Sequence, residues 1–251
     1  MTYSAWPVEA YAELDSTNAE ATRRAEAGAT GPLWIVAGRQ TAGRGRRGRA
    51  WSTHPKNLSA TLLIRSDRTP ANASLVSFVT ALAVSDVALA YVPAGVVSVK
   101  WPNDLLLDGR KAAGLLIESG RSPRGGLWLA IGVGMNLDWA PTDIERPTTS
   151  LADHLAADHA TAPTPGAAFH KLDEAMQRRL AQWGAQGAEG VLADWSARAS
   201  GIPGPCVARL GNESLEGWAD GLEPDGALRL RLGDGSVRLI TAGDVFFGAS
   251  A

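Results

Sequence analysis

The sequence predicts an α+β fold: a mixed or antiparallel sheet packed with helices over residues 1–200, then a small β domain over 201–251. Three observations predict it. Strand-like segments follow one another between residues 96 and 137, and two of them are joined by Asp108-Gly109, a strong two-residue hairpin signal. A helix that is apolar on nearly every face precedes this cluster, and apolar residues spaced by three and four follow it. Gly201-Ile202-Pro203-Gly204-Pro205 then interrupts the chain. Beyond it, short alternating strands are separated by Pro224-Asp225-Gly226 and Gly233-Asp234-Gly235.

Taken in order, Thr17-Asn18-Ala19-Glu20 has the form of a capping box and opens a helix to about Gly28. Residues 33–37 read as a short buried strand. Residues 38–56 hold four glycines and many arginines without apolar periodicity, so a long loop is expected there; loops of that length in a compact domain are usually functional. A strand is expected at 57–65 and a buried helix at 75–90. Strands follow at 96–100, 104–107, 111–118 and 127–137. Phe169, Leu172, Met176, Leu180 and Trp183 mark an amphipathic helix, and Val191, Leu192, Trp195 and Ala199 a shorter one.

Composition narrows the function. With 251 residues the chain buries enough surface to fold without staples, and its single cysteine, Cys206, excludes a disulfide scaffold or a cysteine-cluster metal site. The N-terminus has no basic and apolar leader pattern, and no run of about 18 apolar residues is seen, so a cytoplasmic protein without a membrane span is expected. The net charge of −2 argues against a nucleic-acid partner, yet no acidic residue lies between Glu26 and Asp67, where seven basic ones do. Such a local cationic patch points to one bound anion. Nothing acidic in sequence holds the arginines of residues 43–50, so this loop is expected to be mobile until an anionic ligand orders it.

Gly43-Arg44-Gly45-Arg46-Arg47-Gly48 matches the letters of a dinucleotide fingerprint, but that fingerprint must open a helix, and Arg49-Ala50-Trp51-Ser52-Thr53-His54-Pro55 cannot. What the loop offers is guanidinium groups, suited to gripping phosphate or carboxylate, or else a solvated basic tract. Lys100-Trp101-Pro102-Asn103-Asp104 and Lys111 face each other across a hairpin, placing an ammonium, an amide and a carboxylate together; a plain ion-paired hairpin would read the same way. The glycines of Gly132-Val133-Gly134-Met135-Asn136 let a ligand approach the backbone, or mark an irregular core strand. Ser16-Thr17-Asn18 is a helix cap or a binding site for a small polar group. The four histidines show no metal-ligand spacing.

In that order, the stretches Ser16-Thr17-Asn18, Gln40 through Trp51, Lys100 through Leu105, Gly109 through Gly114 and Gly134 through Leu137 resemble the biotin–protein ligases, also called biotin–[acetyl-CoA-carboxylase] ligases. The resemblance runs from about residue 10 to residue 251. It implies a class II aminoacyl-tRNA synthetase/biotin–lipoate ligase-like catalytic domain followed by an SH3-like β-barrel. Because the matching region starts within about ten residues of Met1, it implies the monofunctional type, without a winged-helix DNA-binding module.

The resemblance implies ATP and magnesium as co-substrate and ion and biotin as substrate, with no tightly bound cofactor and no dedicated metal site. The implied partner is a biotin carboxyl carrier domain, for an enzyme that is a monomer or weak homodimer. Residue by residue, it places Ser16, Thr17, Asn18, Gln40, Gly43, Arg44, Gly45 and Gly114 around biotin. It places Arg49, Trp51, Asn103 and Asn136 at the ATP or adenylate, with Arg44, Arg46 and Lys111 shared between the two ligands. Lys111, Arg46 and Asp104 would be the catalytic groups. The alternatives are a lipoate–protein ligase or octanoyltransferase and a non-catalytic biotin-sensing regulator. The C-terminal domain, free of these motifs, is expected to assist carrier docking or complete the ATP site.

Overall fold

The computed structural model describes residues 6–142, 146–211 and 213–248. Among them, seven strands form one sheet: β1 (Val8–Leu14), β2 (Leu33–Gln40), β3 (Leu58–Ser66), β4 (Val97–Lys100), β5 (Asp104–Leu107), β6 (Arg110–Arg121) and β7 (Leu127–Met135). Their order is β1-β2-β3-β7-β6-β5-β4, with only β1 and β2 parallel. Helix α1 (Thr17–Glu26) makes the crossover that this parallel pair requires. The strand at Val8–Leu14 was not foreseen. As an edge strand exposing Val8, Ala10, Ala12 and Glu13, it lacks the run of large apolar residues of a central strand.

The period of two along each strand sorts side chains between two cores. Trp34, Leu62 and Ile131 lie in register on one face and pack under α3 (Val76–Leu89) and α4 (Pro165–Ser196). Ile35, Leu63 and Ala130 take part in the smaller core under α1, with Ala21 and Ala25. Helix α3 is buried on nearly all sides, as its all-round apolar sequence predicts. With the short α2 (Pro70–Ser74) it makes residues 70–89 long and apolar enough to cross a membrane by length and composition. That corrects the expectation that no such run exists; the sheet and α4 cover most of this stretch.

Two boundaries also shift. The cap of α1 is Ser16, whose hydroxyl accepts from Ala19 N, so the capping pattern begins one residue before Thr17. The two helices expected at 169–199 form one span in which Gly187, at φ 70°, is non-helical. Glycine takes this conformation without the steric cost of a β-carbon.

After α4, strands β8 (Gly204–Leu210), β9 (Glu213–Leu222), β10 (Leu228–Arg231), β11 (Val237–Ile240) and β12 (Asp244–Phe247) form an antiparallel sheet in the order β11-β10-β9-β8-β12. Its buried residues Ala208, Leu228, Leu230 and Val245 are continuous with the main core. Trp101 Nε1 donates to the Gly226 carbonyl at 3.0 Å, tying the turn after β4 to this sheet.

Asn57, at the entry to β3, is a buried polar pin for the segment after β7. Its Oδ1 accepts from Leu137, Asp138 and Trp139 N, and its Nδ2 donates to the Trp139 carbonyl at 2.7 Å. Replacing Asn57 with alanine orphans these backbone groups, each costing about 1–3 kcal/mol when buried, with partial recovery through water. We expect Asn57→Ala to lower the urea-unfolding free energy by about 2–4 kcal/mol. A change below about 0.5 kcal/mol would show that the segment after β7 is held by other means.

Candidate active site

Register explains where a pocket opens. On the α1 face of the sheet, Thr61, Gly132 and Leu116 form one cross-strand row, and Ser59, Gly134, Gly114 and Asp104 form the next. Three glycines in these rows leave a trough beneath the N-terminus of α1 and the residue 43–51 hairpin. The resulting cavity holds about 240 Å³.

At its inner end the walls are uncharged and fully wired. Ser16, Thr17 and Asn18 are buried, as is Thr61. Gln40 Oε1 accepts from Thr17 N (2.7 Å) and from the Thr17 hydroxyl (3.1 Å). The Thr61 hydroxyl donates to Asn18 Oδ1 at 2.7 Å and lies 2.8 Å from Thr17 Oγ1. Asn18 Nδ2 donates to the Leu116 carbonyl and to Glu118 Oε2. A β-carbon on Gly132 would sit 2.1 Å from Asn18 Oδ1, so the strand must be bare there for the amide to fit. Buried polar groups partnered this completely hold fixed rotamers and present the same donors and acceptors to any ligand.

The other end is cationic. Arg44, Arg46, Arg49, Arg146 and Lys111 line the cavity against a single lining carboxylate, Asp104, among the described residues. Lys111 Nζ lies 2.6 Å from Asp104 Oδ1, an ion pair without hydrogen-bond alignment, and 5.6 Å from the centre of the Trp51 ring. Arg46 Nη1 donates to Asn103 Oδ1 at 3.3 Å, and Asn103 Nδ2 donates to the Leu115 carbonyl. Burial pushes the Arg46 guanidinium below its ordinary pKa, although an arginine remains cationic. The Trp51 ring lies over Gly134 and Gly114, where added β-carbons would stand 2.4 and 3.0 Å from it. This indole offers a flat face beside the cationic groups.

Every residue that the resemblance assigns to the site except Gly43 lines this cavity; Gly43 contributes its carbonyl, which accepts from Trp51 N and closes the hairpin. Lys100 lies outside the lining, over Phe246 and Phe247. Asn136 reaches the wall, but its amide is engaged: Nδ2 donates to the Thr149 carbonyl and Oδ1 faces Asn57 Nδ2. It therefore braces the wall as well as bordering it. Sequence reasoning missed Thr61, Glu118, Arg146 and Asp244. Thr61 carried one available signal: with Ser59 it puts a hydroxyl at alternate positions of an apolar stretch of a central strand.

The expectation that nothing holds the arginine loop is corrected. Glu118 lies 3.5 Å from Arg44, and Asp244 from β12 pairs with Arg47 and Arg49 at 3.2 and 2.9 Å. The hairpin is closed further by Gly45 N to the Arg49 carbonyl at 2.7 Å. These partners are remote in sequence, so local composition could not reveal them.

Comparison with known proteins follows the same outline. The family model for the biotin/lipoate A/B protein ligase family matches residues 11–136, and that for the biotin protein ligase C terminal domain matches 205–248. A biotin–[acetyl-CoA-carboxylase] ligase of Paracoccus denitrificans is 39% identical over 239 residues, covering 94% of this chain and 99% of its own. The biotin protein ligase of Leishmania major in complex with biotinyl-5-AMP superposes with a TM-score of 0.64 at 27% identity, covering 94% and 99%. The biotin protein ligase of Aquifex aeolicus in complex with biotin and ATP shares the fold, with a TM-score of 0.79 at 22% identity over 96% and 99%.

Two outcomes follow from the geometry. Gly134→Ala forces the Trp51 ring off the sheet, so the fluorine resonance of 5-fluorotryptophan at position 51, assigned with Trp51→Phe, should shift while the fold persists; an unmoved resonance would contradict the close packing. Lys111→Ala leaves the buried Asp104 carboxylate without its cation and should cost about 1–3 kcal/mol of stability, recovered when Asp104→Asn is added. Equal stability of the single and double variants, measured by urea unfolding, would show that the pair is not coupled.

Proposed function

The chain belongs to the biotin/lipoate A/B protein ligase family, and from that premise we propose that it is a biotin–protein ligase. It activates biotin with ATP to biotinyl-5′-AMP and then transfers the biotinyl group to a lysine of a biotin carboxyl carrier domain. The observation that carries this reading is the pocket's division into a neutral, fully wired end and a cationic end with, among the described residues, one carboxylate.

The division suits the two substrates. The ureido head of biotin is neutral and needs matched donors and acceptors, which Ser16, Thr17, Asn18 and Gln40 supply. Its carboxylate then extends toward Lys111. ATP lies with its adenylate toward Trp51, and magnesium enters on the triphosphate as part of that substrate. A carboxylate oxygen attacks the α-phosphorus and pyrophosphate leaves. Two anions must approach each other for this, and fixed cations in a half-closed pocket lower that barrier far more than they would in water. Lys111 exchanges Asp104 for the reacting anions, and Arg44 and Arg46 share the remaining charge. In the second step a lysine amine attacks the acyl carbon, AMP leaves, and the freed Asp104 is placed to take the amine's proton. The hairpin over the pocket keeps water from the mixed anhydride.

Incubation with ATP, magnesium, biotin and an apo carrier domain should yield biotinylated carrier, AMP and pyrophosphate, with lipoate a poor substitute. Preferential transfer of lipoate or octanoate would move the chain to the other branch of the family. Tight biotin binding without transfer would make it a sensor. Lys111→Ala and the Lys111→Ala/Asp104→Asn pair should both lose biotin-dependent pyrophosphate exchange by at least about 100-fold, a value typical of removing one electrostatic stabiliser. Near-normal exchange in the folded double variant would remove Lys111 from the mechanism.

A further inference from the structure

Three guanidinium groups from two separate segments converge on one carboxylate of the C-terminal sheet. Arg47 and Arg49 come from the hairpin over the pocket, and Arg146 comes from the segment after β7. All three reach Asp244, at 3.2, 2.9 and 3.1 Å. Phe246, two residues along β12 and on the same strand face, lies 5.1 Å beneath the Arg146 guanidinium. Asp244 is mostly buried, with 19% of its side chain exposed. Burial would raise its pKa, but hydrogen bonds from Arg49 and Arg146 outweigh that and hold it below the ordinary range, so it is ionised at neutral pH.

The contact is not a casual surface pair. Arg47 sits at φ 58°, ψ 30°, a left-handed conformation unusual for a residue with a β-carbon, and Gly48 follows at φ 72°. This turn presents Arg47 and Arg49 to the same carboxylate, while Arg46, which also feels the Asp244 charge, donates to Asn103. Without Asp244, Arg47, Arg49 and Arg146 would repel one another across the mouth of the cavity. Arg49 and Arg146 also line that cavity; Arg47 does not. The neutral end is braced separately by Thr17, Asn18, Gln40 and Thr61, none of which touches Asp244.

We propose that Asp244 is a positioning residue for biotin activation: from the C-terminal sheet it holds the hairpin and Arg146 over the nucleotide end of the pocket. This deepens the ligase reading and rests on it. Loss of the carboxylate therefore acts on ATP use and adenylate retention and spares biotin binding.

The test compares Asp244→Asn and Asp244→Glu with wild type in full-length protein. It measures the KM for ATP in biotin-dependent pyrophosphate exchange, the biotin Kd by calorimetry, and leakage of adenylate as carrier-independent biotinylation of free amines. Asp244→Asn should raise the ATP KM at least fivefold and increase leakage at least fivefold, with the biotin Kd within twofold of wild type. Asp244→Glu should restore most of both. Arg47→Gln, which removes one arm without touching the β12 carboxylate, should move the same readouts in the same direction by less; it also decides the matter if Asp244→Asn does not fold. Unchanged ATP KM and leakage in folded variants would overturn the proposal. So would a parallel loss of biotin affinity, which would mark a general structural role. Absence of biotin-dependent exchange in wild type would instead overturn the ligase reading itself.

Discussion

The structure is organised around one electrostatic constraint: a set of like-charged side chains must stay together, incompletely neutralised, at the mouth of a cavity. Arg44, Arg46, Arg49, Lys111 and Arg146 line it, and among the described residues Asp104 is the one lining carboxylate. Left in water such groups would separate; in the fold each is held by a carboxylate or amide reached from another part of the chain. Glu118 reaches Arg44, Asn103 reaches Arg46, Asp104 reaches Lys111, and Asp244 reaches Arg49 and Arg146. These partners are weak enough to be exchanged for a stronger anion and near enough to keep the cations aimed. That combination is what a reaction between a carboxylate and a phosphate needs from its protein.

The sheet serves this constraint through its register. Alternation places Trp34, Leu62 and Ile131 in the core under α3 and α4, and the same alternation places Thr61, Gly132, Gly134 and Gly114 in the trough opposite. The glycines there are shaped by what lies on them, Asn18 at one and Trp51 at the other two. The core side supplies the stability that lets the other face carry bare backbone and crowded charge.

Much of this was legible in the sequence because it is local. The hairpin at Asp108-Gly109, the all-apolar α3, the break at residue 201 and the short strands beyond it carry their signals within a few residues. The candidate residues converge in space because each lies in a compact stretch with a residue pattern of its own. What was not legible depends on long-range pairing. Edge strand β1 carries no run of large apolar residues, only small alanines and isolated Val8, Tyr11 and Leu14 between glutamates, so it has no central-strand signal. Thr61, Glu118 and Asp244 matter only because strand register and chain return bring them to Asn18, Arg44 and Arg49. The loop 43–50 looked untethered for the same reason: its counter-charges lie about 70 and 200 residues downstream. Ser16, not Thr17, caps α1, which frees the Thr17 hydroxyl and amide to meet Gln40.

The most direct test of the charge-exchange mechanism is a crystal structure with a non-hydrolysable biotinyl-adenylate analogue bound. Lys111 Nζ is expected to leave Asp104 and contact the phosphoryl or acyl oxygens, with the ureido head on Thr17, Asn18 and Gln40 and the nucleotide beside Trp51. An analogue seated elsewhere, or seated here with Lys111 still paired to Asp104 and no cation on the phosphate, would contradict it.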